Sequence, residues 1–131
     1  MTTTVDLLDA ICAHLTQFEL PPISSVHAAG SIPAPQVTVQ LTGHEQSEIA
    51  SALLAWADTL TGITAEAWRV PRGDSVHLSV IGRLPGGASI QVYGRLPFAA
   101  YGIGGDLAPD ASTTVPLAVL RERATRGEVT V

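Results

Sequence analysis

The stretch SVHLSVIGRLPGGASIQVYGRL, Ser75–Leu96, decides the fold, because it holds two alternating apolar and polar runs around a glycine turn. Such alternation is typical of half-buried strands, so the stretch predicts a hairpin closed at Pro85–Gly87. A three-residue loop pairs Val80 with Val92, whereas a two-residue loop pairs Val80 with Tyr93 and mixes the faces. A slip of one residue moves every side chain to the other face of the sheet. We therefore predict the three-residue loop, with a glycine bulge.

The hairpin extends backward to a third strand, and the three predicted strands are Ile63–Val70, Ser75–Arg83 and Ala88–Leu96. By the same parity, a four-residue turn at Pro71–Asp74 sets Ala67 opposite Leu78. One face of this sheet is then apolar and should pack against helices. The other face carries polar and aromatic side chains in two rows: Trp68, His77 and Arg95 in one, and Glu66, Ser79 and Tyr93 in the next.

The amino-terminal third of the chain predicts a helix and a hairpin. Residues Val5–Phe18 have apolar side chains at helical spacing, with Thr3 and Asp6 as an amino-terminal cap. The side chains expected to face inward are Leu8, Ile11, Cys12, Leu15 and Phe18. Two strands, Ile23–Ala28 and Gln36–Leu41, follow and are joined by a proline-containing loop.

A second helix is predicted by a capping box at Thr42 and Glu45 and by Gly62 as a carboxyl-terminal stop. The side chains on its inner face are Ile49, Leu53, Trp56 and Leu60. After Leu96 the chain has the composition of an irregular loop as far as Ser112. A third helix is then expected, with Thr114 as its cap and Gly127 as its end.

These elements predict an α+β fold, a two-layer sandwich of order α-β-β-α-β-β-β-α. The sheet is expected to be antiparallel, with the helices on one face. Residues 1–131 are long enough for one α+β domain, and the tail at 128–131 is expected to fray or to add an edge strand.

The composition excludes several functions. Lysine and asparagine are absent, and all seven basic residues are arginines at or after Arg69, so there is no Walker lysine and no Schiff-base lysine. A net charge of −5 makes nucleic acid an unlikely partner, because the phosphate backbone repels an acidic surface. The single cysteine, Cys12, excludes an internal disulfide. No run of about 18 apolar residues is present, and the amino terminus is acidic, so we expect a cytoplasmic protein that does not cross a membrane.

The joint absence of lysine and asparagine, whose codons are rich in A and T, accompanies abundant alanine, glycine, threonine, valine and proline. In this composition the chain resembles small uncharacterised proteins of GC-rich actinobacteria and of their phages and mobile elements. The resemblance covers the whole chain, is carried by no motif and implies no activity.

The polar sheet face is the candidate binding surface. His77 beside Arg95 should have its charged form disfavoured, and Trp68 offers a flat surface for stacking. Ser79, His77 and Glu66 supply the residue types of a hydrolase. However, Ser79 and His77 lie two apart on one strand, which separates their Cβ atoms by roughly 7 Å. We therefore predict no catalytic residue, no metal and no cofactor.

The leading functional hypothesis is a non-catalytic protein-interaction module, expected to be a homo-oligomer and most simply a homodimer. The acidic first 66 residues and the arginine-bearing remainder can then pair across a two-fold interface. Two alternatives remain open: a small-ligand-binding protein, or an enzyme that uses the Trp68, His77 and Arg95 face.

Overall fold

The computed structural model describes residues 3–30 and 36–128, and the side chains as far as Thr125. Within them the chain forms three helices and one six-stranded sheet, which is an α+β architecture. The elements in chain order are α1 (Thr4–Gln17), β1 (Ile23–Ala28), β2 (Val37–Leu41), α2 (Gln46–Ala57), β3 (Thr61–Arg69), β4 (Ser75–Arg83), β5 (Ser89–Pro97), β6 (Ser112–Thr114) and α3 (Leu117–Glu128). Most of the predicted proline-containing loop and of the predicted tail, residues 31–35 and 129–131, lies outside the described residues. No described helix has both the length and the apolar character that a membrane span requires.

The sheet has the order β1-β2-β5-β4-β3-β6, and its neighbouring strands are antiparallel except for β2 and β5. The prediction of a purely antiparallel sheet is therefore wrong. The reason is topological. The crossover through α2 returns the chain to the end of the sheet where β2 began, so β3 runs parallel to β2. The two hairpins that follow reverse the direction twice, so β5 also runs parallel to β2.

The predicted element order also lacks β6. Three residues are too few to give a periodic signal, and this strand is defined by its backbone pairing with β3 instead. Ser112 lies opposite Trp68 and Thr114 lies opposite Glu66, so β6 extends the sheet at its far edge.

The predicted register of the central strands is confirmed. Val80 lies opposite Val92 across β4 and β5, and Ala67 lies opposite Leu78 across β3 and β4. The hairpin closes with a 2.9 Å hydrogen bond from the amide of Leu84 to the carbonyl oxygen of Ala88, the residue directly after the turn. The glycine-rich loop has therefore the three-residue length that parity requires.

One cluster of buried apolar residues joins the three helices to the strands. The predicted inner face of α2 is confirmed, because Ile49, Leu53, Trp56 and the following Leu60 are all buried. Helix α2 packs closely on the sheet at Gly94 of β5, where an added Cβ atom would lie 2.5 Å from Cδ1 of Ile49. This glycine thus allows α2 to lie directly on the sheet.

The first helix has the predicted cap but a different inner face. Thr3 and Asp6 form the capping box through hydrogen bonds of 2.9 and 3.1 Å. The residues of α1 that are buried are Leu7, Ile11 and His14. The expectation that Leu8 and Cys12 face inward is wrong: Leu8 is 43% exposed, and Cys12 is exposed. The sequence pattern misleads here because a histidine occupies the third buried position.

The predicted ends of α2 are wrong. Glu45 is its N-cap residue and makes no side-chain cap. The hydroxyl of Thr42 instead donates to the carbonyl of Pro22, 3.2 Å away, and so ties the chain after β2 to the chain before β1. The helix ends at Ala57, and Gly62 lies within β3 at a φ of 60°.

The third helix also starts and ends elsewhere than predicted. Thr114 belongs to β6, so it does not cap α3, which starts at Leu117 directly after Pro116. Gly127 lies inside the described helix and is not its end. The predicted inward positions are close to the observed ones, because Leu120 is buried and Leu117 is half-buried.

Candidate binding surface

The six residues predicted for the polar face lie in the two rows that parity gave. Trp68 neighbours His77, and His77 neighbours Arg95. In the next row Glu66 neighbours Ser79, which neighbours Tyr93. Their placement is confirmed, and their role in binding stays a prediction.

The outer strands widen this face beyond the three strands from which it was predicted. The residues that continue the second row are Gln40 on β2, Ser25 on β1 and Thr114 on β6. A third row contains His27, Thr38, Gln91, Ile81 and Thr64. Alternation within Val37–Leu41 marks Thr38 and Gln40 as outward-facing. It does not identify β5 as the neighbour of β2, so the sequence analysis missed the extension.

Five of the six predicted residues are accessible to solvent. Arg95 is exposed, and Glu66, Trp68, His77 and Tyr93 are half-buried. Ser79 is only 2% exposed, and its hydroxyl accepts a 3.1 Å hydrogen bond from Nε2 of Gln91 in the third row. The polar face is thus open to solvent, with Ser79 buried at its centre.

The aromatic side chains on this face are packed against one another. The Trp68 and His77 rings meet edge to face, with centroids 5.2 Å apart, and the His77 and Tyr93 rings stack at 4.9 Å and 18°. Nε1 of Trp68 donates to the carboxylate of Asp110 at 3.1 Å. Each ring therefore has a neighbour that restricts its rotation.

His77 is the titratable group at the centre of this cluster. Burial, and after it the positive charge of Arg95, lower the pKa of His77 below its ordinary value of 6.5. The imidazole is therefore neutral near pH 7, which removes like-charge repulsion from Arg95. A neutral imidazole also stacks on Tyr93 without a desolvated charge.

The arrangement does not form a hydrolase triad. The Ser79 hydroxyl is engaged by Gln91, and among the described residues no hydrogen bond joins it to His77 or Glu66. A nucleophile needs a base within hydrogen-bond reach, and the His77 ring is instead held by two aromatic rings. Within residues 3–30 and 36–128, no group of three or more His, Cys, Asp or Glu side chains is placed to hold a metal ion.

Two clefts lie at the end of the sheet where β2 and β5 finish, and the first of them borders the polar face at Gln40 and Arg95. The first, the polar cleft, has a volume of about 340 Å³ and is lined by Gln40, Gly43, His44, Asp74, Ser75, Arg95 and Pro97. The second, the apolar cleft, has a volume of about 370 Å³ and is lined by His44, Gln46, Leu96, Pro97, Ala99, Ala100, Tyr101, Gly102 and Ile103. His44 and Pro97 form the wall between them.

Arg69, the first arginine of the chain, has a structural role away from the polar face. Its guanidinium lies 3.5 Å from the ring centroid of Phe98. It also donates to the carbonyl oxygens of Gly73, at 3.0 Å, and Leu107, at 2.8 Å. Arg69 therefore joins the turn before β4 to the loop after β5, and so helps to shape the end of the sheet where the clefts lie.

Comparisons with protein-family models, curated proteins and solved structures give no match to this chain.

Proposed function

We propose that this chain is a non-catalytic protein-interaction module that self-associates through the polar face of its sheet. The proposal takes the fold as a two-layer α+β sandwich whose helices lie opposite the polar face. The observation that carries it is the accessibility of Trp68, His77, Tyr93 and Arg95 in neighbouring positions. Tryptophan, tyrosine and arginine are the residue types most enriched at interface hot spots.

The polar face is one part of the surface that a dimer would bury. Six strands at about 4.8 Å spacing make it roughly 24 Å wide, and three rows of side chains, about 6.8 Å apart, span roughly 14 Å along the strands. One side of a standard interface covers about 800 Å², so a stable dimer would also bury surface around the polar face.

The order within the face also supports a binding role. Trp68, His77 and Tyr93 hold one another by ring contacts, and Nε of Arg95 donates to the hydroxyl of Ser75 at 3.2 Å. Side chains that are already ordered lose less conformational entropy when a partner binds. Self-association on this face therefore has a smaller entropic cost than it would on a surface of free side chains.

Charge supports a second copy of the chain as the partner. Among the described side chains, the acidic groups of the first 66 residues form no ion pair with an arginine. Of these groups Glu66 lies on the polar face, so a two-fold interface there can pair it with an arginine of the second copy, and the pairing occurs twice.

The test is size-exclusion chromatography with light scattering at about 0.1 M and about 1 M salt, where the Debye length is about 10 Å and about 3 Å. We expect twice the chain mass of 13.6 kDa at the lower salt and a smaller dimer fraction at the higher salt. A mass of 13.6 kDa under both conditions overturns the proposal.

Two charge-reversed variants locate the interface. Glu66→Arg changes the polar face, whereas Glu19→Arg makes the same charge change at an exposed residue between α1 and β1. We expect Glu66→Arg to dimerise roughly tenfold more weakly than the parent chain, a difference of about 1.4 kcal/mol. The affinity of Glu19→Arg for itself should equal that of the parent chain. Equal behaviour of the two variants, each folded by circular dichroism, would place the interface elsewhere.

Binding of a small ligand at the Arg95 end of the face is a second candidate, favoured by the fact that Arg95 also lines the polar cleft. This candidate does not require self-association. An enzymatic role lacks comparable support, since Ser79 is engaged by Gln91.

A further inference from the structure

The two clefts lie at a position in the fold that suits a ligand. β2 and β5 are parallel neighbours, and both clefts open where these two strands end. In open α/β sheets ligands bind in crevices outside the carboxyl ends of parallel strands, and β2 and β5 form one such parallel pair in this otherwise antiparallel sheet. Each cleft also falls within the range of about 300–1,000 Å³ that small-molecule sites occupy.

The polar cleft contains one side chain of each charge. Arg95 lies at one side, where its Nε donates to Ser75 and leaves the two terminal nitrogens for another acceptor. Asp74 also lines the cleft, and its backbone carbonyl accepts a 3.0 Å hydrogen bond from the amide of Phe98. Among the described residues, no ion pair joins Asp74 to Arg95. A ligand that carries both a negative and a positive group therefore finds a complement for each.

The apolar cleft continues from the polar one across His44 and Pro97. Leu96 and Ile103, both buried, line this cleft together with Tyr101, which is 94% exposed. The cleft is fixed to α2, because the amide of Ile103 donates to Oε1 of Gln46 at 2.5 Å. An apolar group placed here would cover the exposed ring of Tyr101 and contact these aliphatic side chains.

We propose that the two clefts together bind a free α-amino acid with a large apolar side chain. The carboxylate contacts the guanidinium of Arg95, the ammonium contacts the carboxylate of Asp74, and the side chain enters the apolar cleft. An Arg–carboxylate contact is charge-assisted and can be bidentate. A ligand with an ammonium and a carboxylate on one carbon atom, and an apolar group on the same carbon, can use both clefts at once. The site lies at the end of the sheet and does not depend on dimerisation.

Isothermal titration calorimetry of the full chain with L-phenylalanine tests the proposal. We expect saturable binding, and at least tenfold weaker binding of glycine, which leaves the apolar cleft empty. Phenethylamine lacks the carboxylate and 3-phenylpropanoate lacks the ammonium, so each should also bind at least tenfold more weakly. The absence of saturable binding of L-phenylalanine up to about 10 mM, or equal affinity for all four compounds, overturns the proposal.

Variants assign each charge to its residue. In Arg95→Gln the preference for L-phenylalanine over phenethylamine should disappear, and in Asp74→Asn the preference over 3-phenylpropanoate should disappear. Arg83→Gln and Asp9→Asn remove the same charges at exposed residues outside the clefts, so both preferences should remain. If Arg95→Gln and Asp74→Asn keep both preferences, the site is not in these clefts. Light scattering on the same samples measures the oligomeric state separately, so failure of binding and failure of dimerisation are distinguishable.

Discussion

At the scale of single residues, His77 connects the two rows of predicted side chains on the polar face. It contacts Trp68 and Tyr93 through its ring, and Arg95 is its neighbour across β4 and β5. Alternation along β4 places His77 on the polar face, and the pairing of β4 with β3 and β5 places Trp68, Tyr93 and Arg95 beside it. The chemistry of His77 thus depends on register more than on its sequence neighbours.

The electrostatic part of this environment can be measured. Burial is the larger cause of the lowered pKa of His77 and Arg95 is the smaller, so Arg95→Gln should raise that pKa part of the way toward 6.5. The measurement is an NMR titration of the imidazole resonances.

Arg83→Gln is the control for this titration, because residue 83 lies six positions along the same strand, roughly 20 Å from His77. In Arg83→Gln the pKa of His77 should be the same as in the parent chain. Equal shifts in the two variants would mean that net charge, and not the neighbour, sets the pKa.

At the scale of elements, the approach of α2 to β5 depends on one glycine. An added Cβ atom at Gly94 would lie 2.5, 2.6 and 3.0 Å from the Cδ1, Cγ2 and Cγ1 atoms of Ile49. Ile49 is fully buried in a close-packed core, so a shift of its side chain would displace other core residues. The sequence shows Gly94 as an interruption of a strand, and only the packing shows that the absent side chain makes room for a helix.

Gly94→Ala should therefore destabilise the protein by about 1–3 kcal/mol, the usual cost of overpacking. Ile49→Ala alone should cost about 2–5 kcal/mol, because it leaves a cavity. The double variant should be more stable than the sum of the two changes predicts, since the added methyl group occupies part of that cavity. Urea unfolding of the four proteins measures this coupling, and strict additivity would contradict the packing described for Gly94.

At the scale of the whole molecule, a buried histidine joins α1 to the end of α2. His14 is 3% exposed, its Nε2 lies 2.7 Å from the hydroxyl of Thr59, and that hydroxyl donates to the carbonyl of Trp56. Because the Thr59 proton is already donated, Nε2 of His14 is the donor of the pair. The surrounding rings of Phe18 and Trp56 are apolar, and burial lowers the pKa of His14.

This burial makes the stability of the whole chain sensitive to acid. The folded-state pKa values of His14 and His77 lie below the unfolded value of 6.5. For each histidine, the unfolded state therefore binds more protons than the folded state at pH values between its folded and unfolded pKa. The free energy of unfolding should be highest above about pH 6.5 and decrease as the pH falls below it, by at most about 1.4 kcal/mol per pH unit for each histidine. Urea unfolding between pH 7.5 and 5 measures this dependence.

His14→Gln should have a lower stability overall and a flatter dependence on pH, because one titrating group is lost. His27→Gln removes an exposed imidazole from the polar face and is the matched control. A pH dependence in His14→Gln as steep as in the parent protein would show that His14 is not a source of the acid sensitivity.

By itself the sequence determined the central strands, their register and the two faces of the sheet. Alternation has a period of two, and a tight turn fixes parity, so local information was sufficient for Trp68, His77, Arg95, Glu66, Ser79 and Tyr93. The same holds for the cap at Thr3 and for the inner face of α2, which depend on contacts within a few residues. The inner face of α1 was misjudged because its third buried position, His14, is polar, and its partner, Thr59, lies far along the chain.

Only the tertiary structure decided what depends on distant segments. The parallel pairing of β2 with β5 follows from the path of the chain through α2, and it joins Gln40 and Thr38 to the polar face. The clefts beside Arg95 arise where the ends of β2 and β5, the start of α2 and the loop after β5 meet. No periodicity encodes such a meeting, because the polar cleft alone draws its residues from three separate segments, 40–44, 74–75 and 95–97.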